Sequence, residues 1–305
     1  MDTMLPTKDE LLEYYYLGVP EIREQAVWRT IGRENKLVTA ESVRAADRKA
    51  ARIAEIEEVK VNERFGNRGA SQRTSIPETL VPVDLTFVAV ISPNDFWLTP
   101  DVNWKGKTPY TKTFEDVRLR CRLVAPKIPD FAASDFSEAL ANLDWFMGAS
   151  ATPGNTRQSI VEAGAIKLRH VLFERIEGEP VDSEVKAMED WPCSTEEARK
   201  ARDAIKRTHR VLPLKAFDMA GNLLPPTKYS QALKGAVVRV SVKLTRWKFR
   251  PQGDDPRGRD VYTADIDNIR VLVPPKPRTR QIIPRTDPGP SRSPKKKART
   301  LGRRD

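Results

Sequence analysis

The segment from Gly235 to Val273 has the most regular pattern of apolar and polar residues in the chain. Its first half alternates at every residue, and side chains on a β-strand point to opposite faces at each step. One face would hold Val238, Val240, Val242 and Leu244, and the other Arg239, Ser241, Lys243, Thr245, Trp247 and Phe249. A second β-rich run follows a stretch rich in Pro, Gly and Asp, so the pattern predicts a hairpin with a long loop.

The polar face of this predicted strand combines two cations with two aromatic rings. Exposed rings beside cations form a platform for single-stranded nucleic acid, because bases stack on the rings and phosphates meet the charges. The alternative is an amphipathic strand whose Trp247 and Phe249 are covered by another element.

A strand predicted over Val117–Ala125 has a row of arginines on one face. Leu119, Cys121 and Leu123 alternate along it with Arg118, Arg120 and Arg122. Neighbouring arginines repel one another unless an anion or carboxylates lie opposite. The row therefore indicates either a path for nucleic-acid phosphates or pairing with acidic residues on an adjacent strand.

The loop Pro93–Phe114 precedes this strand and follows a buried strand predicted over Val81–Ser92. It is rich in aromatic and basic residues. Its candidate nucleic-acid contacts are Trp97, Trp104, Lys105, Lys107 and Tyr110. We expect them to add to the two strand faces.

Helical patterns surround the predicted strands. They cover Thr7–Leu17, Glu21–Ile31, Thr39–Arg64, Ser134–Met147 and Ser194–Lys206. The fourth has an apolar stripe that would pack on the sheet, and the last should lie outside. The third contains neither Gly nor Pro and has only a thin apolar stripe, so we expect a partly exposed arm able to pair with a partner helix or a second copy.

The charge of the 305-residue chain is uneven. Its net charge is +11, and Lys276–Asp305 holds 11 Lys and Arg against 2 Asp and Glu, so the rest carries only +2. A nucleic-acid site in the body must therefore be a local patch of positive charge. The basic tail would attract nucleic acid separately from the body. No apolar run is long enough to cross a membrane, no secretory signal begins the chain, and two cysteines favour a reducing compartment.

The tail is rich in Pro and poor in apolar residues, a composition typical of disorder. Its candidate nuclear localisation signal, which importin would recognise, consists of Lys295, Lys296, Lys297 and Arg299. The alternative is a plain polybasic segment that binds nucleic acid. Ser293 precedes Pro294, and a phosphate there would offset the adjacent positive charge.

The sequence offers little catalytic chemistry. His170 and His209 are its only histidines, and neither has metal-ligating neighbours. We expect no catalytic residue, no metal and no cofactor. Asp265 and Asp267 form a D-x-D pair on one strand, which leaves a metal-dependent nuclease as a remote alternative.

The run Ala216–Leu272 resembles the C-terminal half of phage-type single-stranded DNA-binding proteins. The shared layout consists of a D-x-x-G-N turn at Asp218–Asn222, a K-G-x-x-V-x-V-x-V strand at Lys234–Val242, aromatic residues at Trp247 and Phe249, and a closing strand at Asp260–Leu272. The resemblance implies an OB fold, a small Greek-key barrel, over about Val81–Val273. The N-terminal helices and the nuclear-type tail depart from it and suggest a eukaryotic host or one of its mobile elements.

Taken together, the patterns predict an α+β protein with an OB-like antiparallel β-barrel and packed helices. A helical N-terminal arm and linker (residues 1–77) would precede the body (78–275), and a disordered basic tail (276–305) would follow. We expect a nuclear, sequence-tolerant binder of single-stranded DNA or RNA with no catalysis. The alternative is a structural protein, such as a capsid-like subunit or scaffold, whose tail alone contacts nucleic acid.

Overall fold

The computed structural model describes residues 5–63, 80–108, 111–251 and 257–276. The chain divides into two units, Met1–Pro275 and Lys276–Asp305. Of the second unit only Lys276 is described, so the localisation signal and Ser293 lie outside the described residues, as do Tyr110 and the linker 65–77.

Helices and strands alternate along the first unit. The helices are α1 (Lys8–Leu12), α2 (Ile22–Gln25), α3 (Ala40–Glu63), α4 (Phe131–Ser150), α5 (Asp182–Glu189), α6 (Glu196–Ile205) and α7 (Tyr229–Leu233), with a 3-10 turn at Pro226–Lys228. The strands are β1 (Tyr15–Tyr16), β2 (Ala26–Ile31), β3 (Glu34–Thr39), β4 (Leu85–Ile91), β5 (Arg118–Val124), β6 (Thr156–Gln158), β7 (Val161–Glu162), β8 (Ala165–Val171), β9 (Phe173–Arg175), β10 (His209–Val211), β11 (Ala216–Phe217), β12 (Val237–Phe249) and β13 (Arg259–Val273).

The predicted hairpin is confirmed. β12 and β13 pair antiparallel over their length, from Val237 opposite Val273 to Phe249 opposite Arg259. The register shifts between Ser241 and Val242, which leaves one extra residue on β13. Such a bulge bends the strand and increases its twist.

Eleven strands of the described residues share one sheet around this hairpin. Along it β4, β5, β8, β13 and β12 follow one another, and β12 also pairs with β4. The sheet is mixed rather than purely antiparallel, because β8 runs parallel to β13. It is not a closed barrel, since β8 and β13 share a single residue pair, Arg169 opposite Asp265. The α+β class with packed helices is confirmed.

The core lies between the apolar side of this sheet and α4. Val238, Val240 and Val242 of β12 are fully buried there, as the alternation predicted. Helix α4 contributes Phe136 and Leu143 to the same core. Removing these aliphatic and aromatic surfaces from water is the main favourable term for such a layer.

Two helix predictions require correction. The helix expected over Thr7–Leu17 ends at Leu12 in α1, and Tyr15–Tyr16 form strand β1. The helix expected over Glu21–Ile31 is a single turn, α2, followed by strand β2, which pairs with β3. The residues of β2 are β-branched or aromatic for the most part, and Gly32 turns the chain with a positive φ of 63°. The N-terminal residues are therefore only partly helical, because β1, β2 and β3 join the sheet.

The other helices differ from expectation mainly at their ends. The capping box of Thr7 and Glu10 is present, and the long helix, α3, is confirmed. The N-cap of α6 is Thr195 rather than Ser194, and α4 begins at Phe131. No helix in the described part of the chain is long and apolar enough to cross a bilayer.

Candidate nucleic-acid interface

Strands β5 and β8 together present a surface of cations, which we call the basic face. It consists of Arg118, Arg120, Arg122, Lys167 and Arg169. Across the pair, Arg120 lies opposite Arg169 and Arg122 opposite Lys167. Arg120 and Lys167 are exposed and the other three cations are partly buried, whereas the intervening residues of β5, such as Leu119 and Cys121, are buried in the core.

The basic face has fewer acidic partners than cations. Glu162 pairs with Lys167 at 2.5 Å and more loosely with Arg122 at 3.8 Å. Asp265 pairs with Arg169 at 2.7 Å. Among the described residues, neither Arg118 nor Arg120 has a carboxylate within ion-pair distance. The expected pairing with acids is thus partial, and the surface keeps an excess of positive charge.

Arg118 is held by backbone carbonyls rather than by a carboxylate. It is partly buried, and one guanidinium nitrogen donates to the carbonyl oxygens of Glu115 and Val117, both at 3.0 Å. Burial lowers the pKa of Arg118, and the nearby charge of Arg169 lowers it further, while Asp116 and Asp265 act in the opposite direction. An anion bound beside Arg118 would stabilise the charged side chain.

A cavity of about 460 Å³ opens next to Arg118. Its wall is formed by β3, β5, β8, β12 and β13 together with Pro82. The lining residues with charged or aromatic side chains are Glu34, Lys36, Arg118, Arg169, Lys243, Trp247 and Asp265. The cavity therefore joins the predicted ring Trp247 to the predicted arginine row, although the two lie more than a hundred residues apart in sequence.

The loop before β5 places one exposed ring at the basic face. Trp97 is 42% exposed, and its backbone amide donates to the carbonyl of Arg120 at 2.8 Å. The indole N–H donates to Asp95 at 2.9 Å, which holds the ring near the surface. Lys105 and Lys107 are also exposed on this loop.

Other candidates are engaged elsewhere. Trp104 packs edge-to-face on Phe114, with ring centroids 5.7 Å apart, and belongs to the edge of the core. Arg239 stacks over the ring of Tyr14 at 4.7 Å, at a distance along β12 from the cavity. These positions separate Trp104 and Arg239 from the basic face.

The remaining two candidates on β12 have partners of their own. Lys243 pairs with Asp267 at 2.7 Å and Asp84 at 3.1 Å. Burial lowers its pKa, but the hydrogen bonds to these carboxylates outweigh that effect and raise it. Phe249 is 39% exposed, and Arg259 lies 5.4 Å from its ring centroid. Phe249 is thus at the surface, beyond Trp247.

Three cations of this region were missed by sequence reasoning. Lys167 and Arg169 alternate with apolar residues in the same way as the arginines of β5, so the signal was present. The segment Ile166–Ile176 reads as strand or helix, with its alternation favouring strand slightly, and the cations on that strand were not included among the candidate contacts. Lys36 was missed because Glu21–Ile31 reads as a helix, which hides the hairpin of β2 and β3.

The D-x-D pair is occupied by ion pairs. Asp265 binds Arg169, and Asp267 binds Lys243 while accepting a hydrogen bond from Asn268 at 3.1 Å. Within the described residues, no group of three or more His, Cys, Asp and Glu side chains is arranged to hold a metal ion.

Comparison with protein-family models gave no match, and no curated protein matched the chain.

Proposed function

We propose that this protein binds single-stranded nucleic acid, DNA in the first instance, along the basic face. The observation that supports this best is a surface of five cations with two carboxylates, next to the exposed ring of Trp97. Phosphates would follow the cations, and bases would stack on the ring, each stacked base contributing roughly 1–3 kcal/mol. Contacts of this kind do not read base edges, so binding would be tolerant of sequence.

We also propose that the body is OB-like. An OB fold is a partly open, five-stranded Greek-key barrel that binds oligonucleotides through its second and third strands and through the loops between strands one and two and between four and five. Five strands here are neighbours in the order β4, β5, β8, β13 and β12, and β12 also pairs with β4. Counted along the chain, the five are β4, β5, β8, β12 and β13. The second and third are β5 and β8, which form the basic face.

The loops fit the same proposal. The segment between β4 and β5 contains Trp97, Lys105 and Lys107, and the segment between β12 and β13 follows Phe249. The strand order and the position of the cations are independent observations, because strand order depends on backbone pairing and the cations on side chains. Both favour the same surface.

Nuclear localisation is the part of the proposal that depends on sequence alone. The basic run 295–299 would bind importin, and replacing Lys295, Lys296 and Lys297 by Ala should move a fluorescent fusion out of the nucleus.

The deciding experiment compares two full-length variants. In one, Arg120 and Arg122 are replaced by Gln; in the other, Lys295, Lys296 and Lys297 are replaced by Gln. Affinities for single-stranded DNA, double-stranded DNA and single-stranded RNA are measured at several salt concentrations. The proposal expects the first variant to bind single strands more weakly, with a salt slope reduced by about 0.7 for each phosphate that is no longer neutralised.

The second variant tests the alternative that the tail alone touches nucleic acid. Suppose that only this variant loses affinity and that the wild-type protein binds single and double strands alike. The body is then a structural or assembly module, and the proposal is wrong.

A further inference from the structure

We infer that the cavity beside Arg118 holds one nucleotide of the bound strand, with its base against Trp247 and its phosphate on Arg118. The inference rests on the proposed function and adds a defined subsite for a nucleoside monophosphate unit to the basic face. The size of the cavity, the state of its ring and the balance of its charges support it.

The size of the cavity suits a single nucleotide. Its volume of about 460 Å³ lies in the lower part of the range of small-molecule sites, roughly 300–1,000 Å³. Val171, Leu244 and Pro82 give it apolar wall area. Such a site has room for one base and its sugar, but not for a stretch of strand.

The ring of Trp247 is free to stack. Trp247 is partly exposed and lines the cavity, and its indole N–H makes no hydrogen bond to any described residue. By contrast, Trp28 and Trp191 donate to backbone carbonyls, and Trp97 donates to a carboxylate. A polar atom at the end of an accessible ring is suited to a ligand that offers both a flat face and acceptors.

The charges of the cavity single out one cation for a phosphate. Lys36 pairs with Glu34 at 2.8 Å, Arg169 with Asp265 at 2.7 Å and Lys243 with Asp267 at 2.7 Å. Each of these pairs is close to neutral. Arg118 also lines the cavity, and its hydrogen bonds are to backbone carbonyls rather than to a carboxylate.

One unmatched cation fits one phosphodiester or phosphate group better than a triphosphate, because further negative charges would face Glu34 and Asp265. Arg118 and Arg169 belong both to the basic face and to the cavity. A nucleic-acid strand bound along β5 and β8 would therefore place its last nucleotide in the cavity while its phosphates stay in contact with the basic face.

The test measures binding of dAMP and dTMP to the full-length protein by calorimetry, beside 2′-deoxyadenosine and inorganic phosphate. Both monophosphates should bind, and the nucleoside and phosphate alone should bind at least tenfold more weakly. Arg118→Gln and Trp247→Ala should each reduce monophosphate affinity by roughly tenfold or more, and Trp247→Phe should restore most of the loss.

Matched controls separate the cavity from the basic face. Arg122→Gln alters the same strand face outside the cavity, so it should weaken oligonucleotide binding and leave dAMP binding unchanged. A thermal midpoint close to that of the wild type in each variant shows that folding is intact, and Trp247→Phe serves where Trp247→Ala does not fold.

Failure of the inference differs from failure of the proposed function. If single-stranded DNA binds and responds to Arg122→Gln but neither monophosphate binds, the cavity is not a nucleotide site, and the proposed function stands. The same conclusion follows if monophosphates bind equally well to the Arg118 and Trp247 variants. If neither oligonucleotides nor monophosphates bind, both ideas are wrong.

Discussion

Arg120 and Arg169 face each other directly across the pair of strands β5 and β8. Like charges in this position destabilise a sheet. Asp265 holds Arg169, but Arg120 has no carboxylate at ion-pair distance among the described residues. The sheet thus accepts an electrostatic cost at an exposed cation, and binding of a polyanion would relieve it.

Replacing Arg120 by Gln should therefore separate stability from binding. We expect the free energy of unfolding to rise slightly, by about 0.2–1 kcal/mol, because the repulsion across the strands is removed. Affinity for single-stranded DNA should fall, because a neutral side chain no longer attracts the phosphate. Urea denaturation and an oligonucleotide titration measure the two effects.

The control for this variant is Lys200→Gln on α6, where the lysine side chain is 76% exposed. It removes the same charge from another surface and should change neither quantity appreciably. A loss of stability in Arg120→Gln together with unchanged affinity would mean that Arg120 has a structural role instead.

The two tryptophans of the loop before β5 should behave oppositely. Trp97→Ala removes an exposed ring, so we expect weaker single-strand binding, by roughly 1–3 kcal/mol, with a nearly unchanged thermal midpoint. Trp104→Ala removes a ring packed on Phe114, so we expect a lower thermal midpoint as the main effect. Oligonucleotide titration and thermal unfolding of both variants are the measurements. Equal effects of the two substitutions on affinity would contradict this assignment.

Asp84 forms an ion pair with Lys243 and partly neutralises its positive charge, and Lys243 also pairs with Asp267. Asp84→Asn should leave Lys243 paired with Asp267 while making the surface more positive. Since the carboxylate and the lysine are both well exposed, the stability change should be small, about 0–1 kcal/mol. Affinity for single-stranded DNA should increase, most clearly at low salt.

The corresponding control is Asp144→Asn, which breaks the exposed ion pair with Arg157 at 2.8 Å on α4. If it raises affinity as much as Asp84→Asn does, the effect reflects net charge alone and not the position of Lys243.

Much of the sheet could be predicted from local pattern. The alternation from Val238 to Leu244 identified a strand with one buried face, because burial on one side imposes a period of two. The arginine row of β5 was found in the same way. Both depend only on residues near in sequence, which is where pattern is informative.

Pairing between distant segments could not be predicted. Nothing near Lys243 in sequence indicates Asp84, and nothing near Arg239 indicates Tyr14, since β4 and the N-terminal segment reach β12 only in the folded chain. The bulge beside Val242, which makes Asp267 the extra residue of β13 and leaves Asp265 opposite Lys243, could not be predicted either. The exposure of Trp97 and the packing of Trp104 likewise depend on elements far along the chain.

The last prediction concerns the buried carboxylate of Asp260 at the start of β13. Asp260 is 1% exposed and pairs with Arg246 at 3.0 Å. It also accepts hydrogen bonds from the backbone amide of Thr152 at 2.6 Å and the side chain of Asn155 at 3.2 Å. Burial alone would raise the pKa of Asp260, but these hydrogen bonds and the charge of Arg246 outweigh it and lower the pKa.

A carboxyl group whose pKa is lower in the folded state stabilises the protein above its unfolded-state pKa of about 3.9, and this contribution is lost as pH falls through the lower, folded-state value. Asp260→Asn leaves Arg246 buried without its partner, so we expect a loss of about 3–5 kcal/mol at pH 7. The loss should shrink as pH falls below about 4, because the unfolded chain takes up a proton there while the folded carboxylate, with its lower pKa, is still ionised. Urea denaturation of both proteins between pH 3 and pH 7 measures the difference. A difference that stays constant across this range would show that Asp260 acts through shape and hydrogen bonding rather than through its charge.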